Sequence, residues 1–284
     1  MKVVAHGSLA ASALFSLSNR VALVTGGGRG VGEMIARTFV ENGARVYIAS
    51  RSAETLRRTA SRLSAAGPGS CHAIAADVGT GAGCASLAAA LRERESALHV
   101  LVNNSGVAWG APLADFPETE LERAWALNVR APLLLSRALL DLLRAGAAAE
   151  STPDAADASP SRIINVGSIV ALRAQPVPTW AYEPTKAALH ALSVKLAAEL
   201  APSVTVNTLA PGYVPTRMSK GLLAVAKEEA IRAAVPMGRF GSASDIGGAA
   251  LFLASRAGAW VTGTTIVVDG GMLAQPMRIA EGLE

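Results

Sequence analysis

The residues VALVTGGGRGVGEMIA, at positions 21–36, decide how this 284-residue chain folds. The first five, Val21–Thr25, are apolar or β-branched and predict a buried strand. Glycines follow directly, and apolar residues at helical spacing then predict a helix over 31–42. A strand, a glycine-rich turn and a helix in immediate succession are the opening half of a βαβ unit.

The spacing of the glycines in this turn indicates what the turn binds. They stand at positions 26, 30 and 32, as G-x-x-x-G-x-G rather than the G-x-G-x-x-G of the standard dinucleotide fingerprint. Without side chains, backbone N–H groups can approach an anion at the helix N-terminus, where the helix dipole favours negative charge. An ordinary glycine-rich loop is the alternative. The turn predicts a pyrophosphate site made by Gly26, Arg29, Gly30, Val31 and Gly32.

Short apolar runs and longer helical patterns alternate along the rest of the chain, as in repeated βαβ units. The predicted strands are Val21–Thr25, Arg45–Ala49, Cys71–Ala75, Val100–Asn103, Arg162–Gly167, Thr205–Ala210 and Thr265–Val268. The predicted helices cover 31–42, 53–66, 82–96, 118–144, 181–200 and 244–254, with Ser244 as the N-cap of the last. We therefore predict an α/β fold: a single-domain, doubly wound, Rossmann-type, seven-stranded parallel sheet with helices on both faces.

This predicted domain spans 17–274, and two of its segments are irregular. Residues 145–161 are rich in Ala, Ser, Asp and Pro and predict a flexible surface insertion. Residues 211–239 follow a strand and are broken by Pro and Gly, which predicts a mobile substrate lid. Outside the domain we expect a flexible N-terminal extension over 1–16, a poor match to a targeting signal, and a C-terminal tail over 275–284.

Composition argues against several classes of protein. The formal net charge is +4 with scattered Lys and Arg, which does not predict nucleic-acid binding. Cys71, Cys84 and four histidines are too few for a disulfide framework or a zinc site, so no metal is predicted. No apolar run approaches the roughly 18 residues of a membrane span. We expect a cytoplasmic protein with reduced cysteines.

The end of the second predicted strand bears on the choice of dinucleotide. An acidic residue there would bind the adenosine ribose of NAD and repel a 2′-phosphate, but the chain has Ala49-Ser50-Arg51. Arg51 can pair with that phosphate, Ser50 can donate a hydrogen bond, and Arg29 can supply a second cation. NADP(H) is favoured over NAD(H), against the alternative that both arginines are solvated surface charges.

Polar residues also follow the third and fourth predicted strands. Asp77 and Val78 come after one, and Asn103-Asn104-Ser105-Gly106 ends the other. These are strand carboxyl ends, where adenine and ribose would lie, although each is by itself only a polar turn. By position, Asp77, Val78, Asn104 and Gly106 are predicted cofactor contacts.

Another set of residues predicts proton transfer. Tyr182 and Lys186, in the sequence YEPTK, stand one helical turn apart, while Ser168 ends the fifth strand and Asn128 lies in a predicted helix. Tyr and Lys four apart also occur as ordinary helix residues.

In combination, T-G-x-x-x-G-x-G, N-N-S-G, the in-helix Asn, the Ser after a strand, Y-x-x-x-K and P-G resemble the short-chain dehydrogenase/reductase family over residues 15–272. Within that family, Phe15-Ser16-Leu17, Pro236-Met237-Gly238-Arg239 and Asp269-Gly270-Gly271 are similar to the rhamnolipid-biosynthesis 3-oxoacyl-(acyl-carrier-protein) reductase group. Ser105, Thr185 and Pro215 depart from the family pattern, and none of the three removes a catalytic group.

The resemblance implies a role for each matching residue. Tyr182 would donate its proton to a substrate carbonyl oxygen, to which Ser168 would also hydrogen-bond. Lys186 would lower the tyrosine pKa and hold the nicotinamide ribose, and Asn128 would hold a water in a proton relay behind it. The further implied cofactor contacts are Pro211, Gly212, Val214 at the carboxamide and Thr216 at the phosphates.

The leading hypothesis is NADPH-dependent reduction of a hydrophobic ketone, with a 3-oxoacyl thioester as the best single guess and an acyl-carrier protein as a partner. The residues expected around the substrate are mostly apolar or aromatic: Val170, Leu172, Gln175, Trp180, Tyr213 and 217–235. The alternatives are a tailoring ketoreductase of secondary metabolism, an NAD(P)-dependent secondary-alcohol dehydrogenase and an NADP-sensing binding protein. The resemblance also implies a homodimer or homotetramer formed through 118–144 and 181–200.

Overall fold

Seven strands form one parallel sheet in the computed structural model, which describes residues 8–149, 159–175, 177–219 and 228–275. The strands are β1 (Val21–Thr25), β2 (Arg45–Ser50), β3 (Ser70–Ala75), β4 (Val100–Asn103), β5 (Ser161–Val166), β6 (Val204–Pro211) and β7 (Thr265–Val268). Because β1, β4, β5 and β6 are buried along their whole length, they lack the alternation of a half-exposed strand. The predicted fold class is confirmed, and each strand end lies within one residue of its prediction.

The helices cover both faces of this sheet. They are α1 (Ala11–Leu14), α2 (Gly30–Glu41), α3 (Ala53–Ser64), α4 (Gly81–Arg92), α5 (Glu118–Trp125), α6 (Ala131–Ala138), α7 (Leu140–Ala149), α8 (Tyr182–Leu200), α9 (Glu228–Ala233) and α10 (Ala243–Ala254). Apolar residues of α2, α3 and α10 pack in one core cluster. Residues of α4, α6, α7 and α8 pack in a second.

Strand order positions the site. The strands run β3-β2-β1-β4-β5-β6-β7, so the chain moves outward from β1 to β3 and then returns to β4 on the other side of β1. In open α/β sheets, ligands bind outside the carboxyl ends of the strands where the order reverses. The turns after β1 and β4 meet at this point, and the turn after β5 lies next to them.

The helix predicted over 118–144 is interrupted and longer than expected. One π-helical turn, Ala126–Arg130, separates α5 from α6, and α7 continues to Ala149. The predicted insertion at 145–161 is therefore wrong at its start, because Gly146 and Ala147 are buried in α7. Small residues carry no amphipathic signal, yet they let α7 approach the sheet closely. Residues 150–158 lie outside the described part of the chain.

The N-cap predicted at Ser244 is wrong. Ser242 caps α10, since its side chain accepts a hydrogen bond from the Asp245 N–H while Asp245 accepts one from the Ser242 N–H. This reciprocal pair is a capping box. Arg239 adds an ion pair to Asp245 at 2.7 Å and, with the Ser242 hydrogen bonds, lowers the pKa of that carboxyl.

Two other predicted segments are only partly described. Within the expected extension over 1–16, Ala11–Leu14 forms a helical turn, and residues 1–7 lie outside the described ranges. Within the expected lid over 211–239, α9 is helical and residues 220–227 lie outside the described ranges. The tail beyond Gln275 is likewise not described. The flexibility predicted for these segments stays a prediction.

In the described part of the chain, no helix is long and apolar enough to cross a bilayer, and no three His, Cys, Asp or Glu side chains are grouped to hold a metal. Cys71 and Cys84 are buried and not bonded to each other. Burial raises the pKa of Cys71 to about 12, so it stays a neutral thiol.

α2 and α10 approach each other through a glycine. A Cβ built on Gly247 would lie 2.1 Å from Thr38 Oγ1 and 3.2 Å from Thr38 Cβ, whereas one built on the neighbouring Gly248 would meet nothing within 4 Å. Both glycines therefore lie in the interior of α10, but only Gly247 is packed tightly against α2.

We expect Gly247→Ala to destabilise the protein by about 1–3 kcal/mol through overpacking against α2. Gly248→Ala should instead be neutral or stabilising by up to about 1 kcal/mol, the helix-propensity gain of Ala over Gly. Thermal unfolding of both variants at equal protein concentration measures this difference. Equal effects at the two positions would contradict the close approach of α2 and α10.

Candidate active site

The end of β5 and the start of α8 face each other at the carboxyl edge of the sheet. β5 ends at Val166, Ser168 follows two residues later, and α8 begins at Tyr182. Lys186 lies one turn further along α8, on the same face as Tyr182. Three of the four predicted catalytic side chains are thus held by two adjacent elements.

Lys186 is anchored on the backbone of β5. The side chain is 4% exposed, and its ammonium group donates a hydrogen bond to the Val166 carbonyl oxygen at 2.7 Å. Nζ lies 5.7 Å from the centroid of the Tyr182 ring. Burial lowers the pKa of Lys186 to about 8, since an ammonium group loses hydration inside the protein. Lys186 therefore remains mostly charged at neutral pH.

Tyr182 is held as a neutral phenol. Burial raises its pKa, and a hydrogen bond with the Ser168 side chain partly opposes that shift. Lys186 was predicted to lower this pKa, but burial is the larger effect and raises it. Ser168 itself is 9% exposed, and its hydroxyl also accepts a hydrogen bond from the Val170 N–H at 3.4 Å. Tyr182 and Ser168 thus form a hydrogen-bonded pair whose phenol keeps its proton.

Asn128 joins this pair to the turn after β4. It lies in the π-helical turn, a feature often found at functional sites, and is 1% exposed. Its amide group exchanges two hydrogen bonds with the Val107 backbone, at 2.9 and 3.0 Å, and donates a third to Thr185 Oγ1 at 3.0 Å. A Cβ built on Gly106 would lie 3.2 Å from Asn128 Oδ1 and 3.6 Å from Lys186 Nζ. Gly106, Asn128 and Lys186 therefore meet.

Thr25 ties the turns after β1 and β4 together. Its hydroxyl accepts hydrogen bonds from the N–H groups of Asn104 and Ser105, each at 3.0 Å, and the Asn104 side chain donates to the Thr25 carbonyl oxygen at 2.8 Å. Cβ atoms built on Gly26 and Gly32 would lie 2.7 and 2.3 Å from Asn104 Nδ2. These glycines are required by close packing of the two turns.

The N-terminus of α2 has the form of an anion site. The helices α3, α4 and α10 are capped by the side chains of Ser52, Thr80 and Ser242, but the Arg29 side chain makes no such bond to α2. Gly30 adopts φ +58°, and a Cβ there would be 3.5 Å from Thr216, so the first turn lies close to the segment after β6. The free N–H groups at the start of α2 fit a phosphate group.

The predicted selectors of the dinucleotide lie on the same side of the sheet. Gly26 N–H bonds to the Ala49 carbonyl oxygen at 2.7 Å, which holds the ends of β1 and β2 together. Arg29 and Arg51 follow these ends and are exposed, and Ser50 is partly buried. Within the described ranges neither guanidinium pairs with a carboxylate, so both are available to an anionic ligand.

The other predicted cofactor residues are less directly placed. The Asp77 carboxylate accepts a hydrogen bond at 3.0 Å from the N–H of Gly79, two residues later in the same turn. Val78 is buried in the core. Pro211 ends β6, and the Gly212 N–H extends the pairing to Val268 at 2.9 Å. The Val214 side chain is buried at 5% exposure. For these residues the structure shows supporting roles in turns and packing, and cofactor contact stays a prediction.

Some of the predicted substrate residues line a cavity of about 730 Å³, whose lining includes neither Ser168 nor Tyr182 and no described residue of the predicted 217–235 segment. Four of them, Val170, Leu172, Gln175 and Trp180, line it together with Glu183, Pro184 and Ala187 on the outward side of α8. Tyr213 instead packs on Phe240, with ring centroids 4.6 Å apart. The indole N–H of Trp180 donates to the Ala111 carbonyl oxygen at 2.9 Å and joins the segments after β4 and β5.

No role was predicted for three residues that the site uses. Thr25 binds the turn after β4, and Thr185 accepts a hydrogen bond from Asn128. An isolated threonine gives no local sequence signal for such a role. His190 stands one turn after Lys186, and its Nε2 accepts a hydrogen bond from the Ser168 N–H at 3.5 Å. The repeated spacing of four residues from Tyr182 to Lys186 to His190 could have identified it.

This geometry can be compared with known proteins. The family described as enoyl-(acyl carrier protein) reductase matches residues 26–273. A rhamnolipids biosynthesis 3-oxoacyl-[acyl-carrier-protein] reductase from Pseudomonas aeruginosa is 45% identical over 259 residues, which cover 90% of this chain and 97% of that protein.

Solved structures agree with this assignment. The RhlG/NADP active-site complex of Pseudomonas aeruginosa has a TM-score of 0.84 at 45% identity, covering 91% of this chain and 98% of that one. A gluconate 5-dehydrogenase from Burkholderia cenocepacia, solved with NADP and tartrate, has a TM-score of 0.84 at 29% identity, covering 94% and 100%. Both were determined with the cofactor that the sequence predicts here. The chain belongs to the short-chain dehydrogenase/reductase family of oxidoreductases.

Proposed function

We propose that this protein is an NADPH-dependent carbonyl reductase that converts a hydrophobic ketone, in the first place a 3-oxoacyl thioester, into a secondary alcohol. The observation that carries the proposal is the placement of the Tyr182 phenol, which hydrogen-bonds to Ser168 and whose ring centroid lies 5.7 Å from the Lys186 ammonium nitrogen. A proton donor, a second hydrogen-bond donor and a cation are what carbonyl reduction needs from a protein. NADPH, when bound, would supply the hydride.

Tyr182 acts as the general acid. It donates its hydroxyl proton to the substrate oxygen as that oxygen gains negative charge, and the Ser168 hydroxyl hydrogen-bonds to the same oxygen. A phenol is protonated near neutrality, as a proton donor must be at the start of reduction. Lys186, charged below a pKa of about 8, stabilises the phenolate that remains.

Asn128 places the groups around this acid. Its hydrogen bonds to Val107 and Thr185 fix the turn after β4 against α8. This holds Gly106 beside Lys186, where the nicotinamide ribose would be bound. We also propose, from the family resemblance, that Asn128 orders a water that returns a proton toward Lys186.

NADPH fits the cofactor end of the sheet. The N-terminus of α2, which no side chain caps, suits the pyrophosphate. Arg29, Ser50 and Arg51 suit the 2′-phosphate, because no carboxylate occupies the end of β2 and the arginines are exposed. Two related structures containing NADP support the same choice.

An apolar substrate fits the surfaces around the segments after β4 and β5. Trp109, Leu113, Leu172 and Trp180 are each between 46% and 67% exposed there. Large apolar side chains left in water at one place mark a binding surface. The name of the Pseudomonas aeruginosa relative makes a 3-oxoacyl chain on acyl-carrier protein the leading choice. Another ketone, as in a tailoring reductase, would use the same chemistry.

Alcohol oxidation is the second candidate, favoured by the likeness to gluconate 5-dehydrogenase. It would run the same proton transfer in reverse, with Tyr182 as the base. The raised pKa of Tyr182 disfavours that direction near neutrality. Turnover of polyols or sugar acids with NADP⁺, and of no ketone, would select it. An NADP-sensing protein would bind the cofactor and turn over neither class.

We also propose a homodimer or homotetramer. Leu121, Trp125 and Leu133 on α5 and α6 and Val194 on α8 are between 41% and 55% exposed, on the helices expected to pair. Sedimentation at micromolar protein tests this; a monomer would defeat it.

Tyr182→Phe should lower the rate of NADPH oxidation with medium-chain 3-oxoacyl thioesters by about 10²- to 10⁴-fold, since it removes the acid. NADPH binding, followed by fluorescence, should be retained. Tyr47→Phe is the matched control, because that hydroxyl bonds to Glu95 at 2.7 Å and lies on β2, which β1 and β4 separate from β5. Turnover that survives in Tyr182→Phe would refute the catalytic assignment, and turnover of other ketones alone would remove the acyl assignment.

Charge reversal at Arg51 should change cofactor preference. Arg51→Asp removes a cation and introduces repulsion at the 2′-phosphate, so the ratio of kcat/KM for NADPH over NADH should fall by about 10- to 100-fold. Arg144→Asp makes the same reversal on α7 and should leave the ratio unchanged. An unchanged ratio in Arg51→Asp would show that Arg51 is a solvated surface charge.

Lys186→Met should abolish turnover and alter how stability depends on pH. The folded-state pKa of about 8 lies below the ordinary 10.5, so between these values the unfolded wild type binds more protons and its folding stability rises with pH. The variant lacks this rise. The difference in unfolding free energy, variant minus wild type, should therefore be largest below pH 8. It should decrease by about 3 kcal/mol between pH 8 and pH 10.5, because only the wild type gains stability over that range. A pH-independent difference would contradict the burial of the charged form.

A further inference from the structure

His190 continues the line of side chains that α8 presents to the end of β5. Tyr182, Lys186 and His190 are each four residues apart and lie on one face of the helix. Lys186 donates to the Val166 carbonyl oxygen at 2.7 Å, and the Ser168 N–H donates to His190 Nε2 at 3.5 Å. The two side chains therefore bind the backbone on either side of Gly167.

Gly167 leaves the space that the imidazole uses. A Cβ there would lie 2.1 Å from His190 Nε2 and 2.7 Å from Thr208 Cγ2. The ring thus packs edge-on against the peptide that precedes Ser168. A hydrogen bond of 3.5 Å is long, but the contact at Gly167 fixes the direction of the ring independently of it.

The contact requires one protonation state of the ring. To accept from the Ser168 N–H, Nε2 must be unprotonated, so a neutral ring carries its proton on Nδ1. Burial, with a contribution from the Lys186 charge, lowers the pKa of His190 to about 4. The neutral ring is therefore the form present at neutral pH.

A purely structural role does not account for this residue. Nδ1 is buried and has no hydrogen-bond partner among the described residues. A buried polar atom without a partner costs stability, whereas an aliphatic side chain in the same place would not carry that cost. The imidazole is thus poorly suited to packing alone and well suited to accepting from Ser168.

We propose that His190 is a positioning residue that holds Ser168, through its backbone N–H, in the orientation in which the Ser168 hydroxyl reaches Tyr182 and the substrate oxygen. The proposal deepens the reductase function argued above and rests on it. His190 does not touch the reacting atoms and acts only through Ser168.

Two substitutions separate this role from packing. His190→Leu removes the acceptor, and we expect kcat with the ketone substrate to fall by about 10-fold, the effect of losing one hydrogen bond, while KM for NADPH stays unchanged. Its thermal midpoint should stay the same or rise. His190→Gln, whose amide oxygen can still accept from the Ser168 N–H, should recover most of the rate. His72→Leu, at an exposed histidine on β3, is the matched control and should leave kcat unchanged.

A double-mutant cycle with Ser168→Ala tests whether His190 acts through Ser168. If it does, His190→Leu should cost less than about twofold in the Ser168→Ala background, because the hydroxyl it positions is gone. The same roughly 10-fold loss in both backgrounds would overturn the proposal. The proposal would also be overturned if His190→Leu is destabilised and its kcat falls only by the fraction of the variant that is unfolded.

Nitrogen-15 spectra of the histidine rings supply a readout that does not depend on turnover. The His190 resonances, assigned by their loss in His190→Gln, should show an unprotonated Nε2 and a protonated Nδ1 at pH 7. Protonated Nε2 would refute the contact with Ser168 even in an active enzyme. A wild type that reduces no ketone yet shows the expected tautomer would instead defeat the proposed function and leave the contact standing.

Discussion

The hydrogen bond from the buried Lys186 ammonium group to the Val166 carbonyl oxygen fixes α8 against the end of β5. β5 lies between β4 and β6 and cannot shift without breaking two ladders, so the helix takes its position from the sheet. Tyr182 is then one turn from Lys186, and Ser168 is two residues beyond Val166. One buried charge therefore sets the separation between Tyr182 and Ser168, and the carbonyl dipole offsets part of its loss of hydration.

The cofactor end depends on close backbone approach rather than on charge. Thr25 binds the turn after β4, and Gly26 and Gly32 let Asn104 lie against the turn after β1. Asn128 then carries this alignment across to Thr185 on α8. The turn after β1 and the start of α8 are thus parts of one hydrogen-bonded framework. Arg51, exposed just after β2, lies outside it.

The sequence predicts the strands of the sheet and the pair Tyr182 and Lys186, but not the length of α7 or the N-cap of α10. Buried parallel strands are continuous apolar runs, so their limits were found within one residue. Residues four apart on one helix face identified Tyr182 and Lys186 as neighbours. The extension of α7 was missed because Ala and Gly carry no periodic signal. The N-cap was predicted two residues too late because the hydrogen bonds between Ser242 and Asp245 that define it are visible only in the structure. The pKa of Tyr182 depends on burial by distant segments, which no local pattern records.

Carbonyl reduction at this site requires that hydride reach the carbonyl carbon from NADPH while the oxygen receives its proton from the protein. A direct test supplies NADPH carrying deuterium at the transferred position, together with a 3-oxoacyl thioester, and analyses the product by mass spectrometry and NMR. We expect one deuterium bonded to the new carbinol carbon. Oxidation of the cofactor with no deuterium in the product, or an alcohol formed without cofactor oxidation, would contradict it.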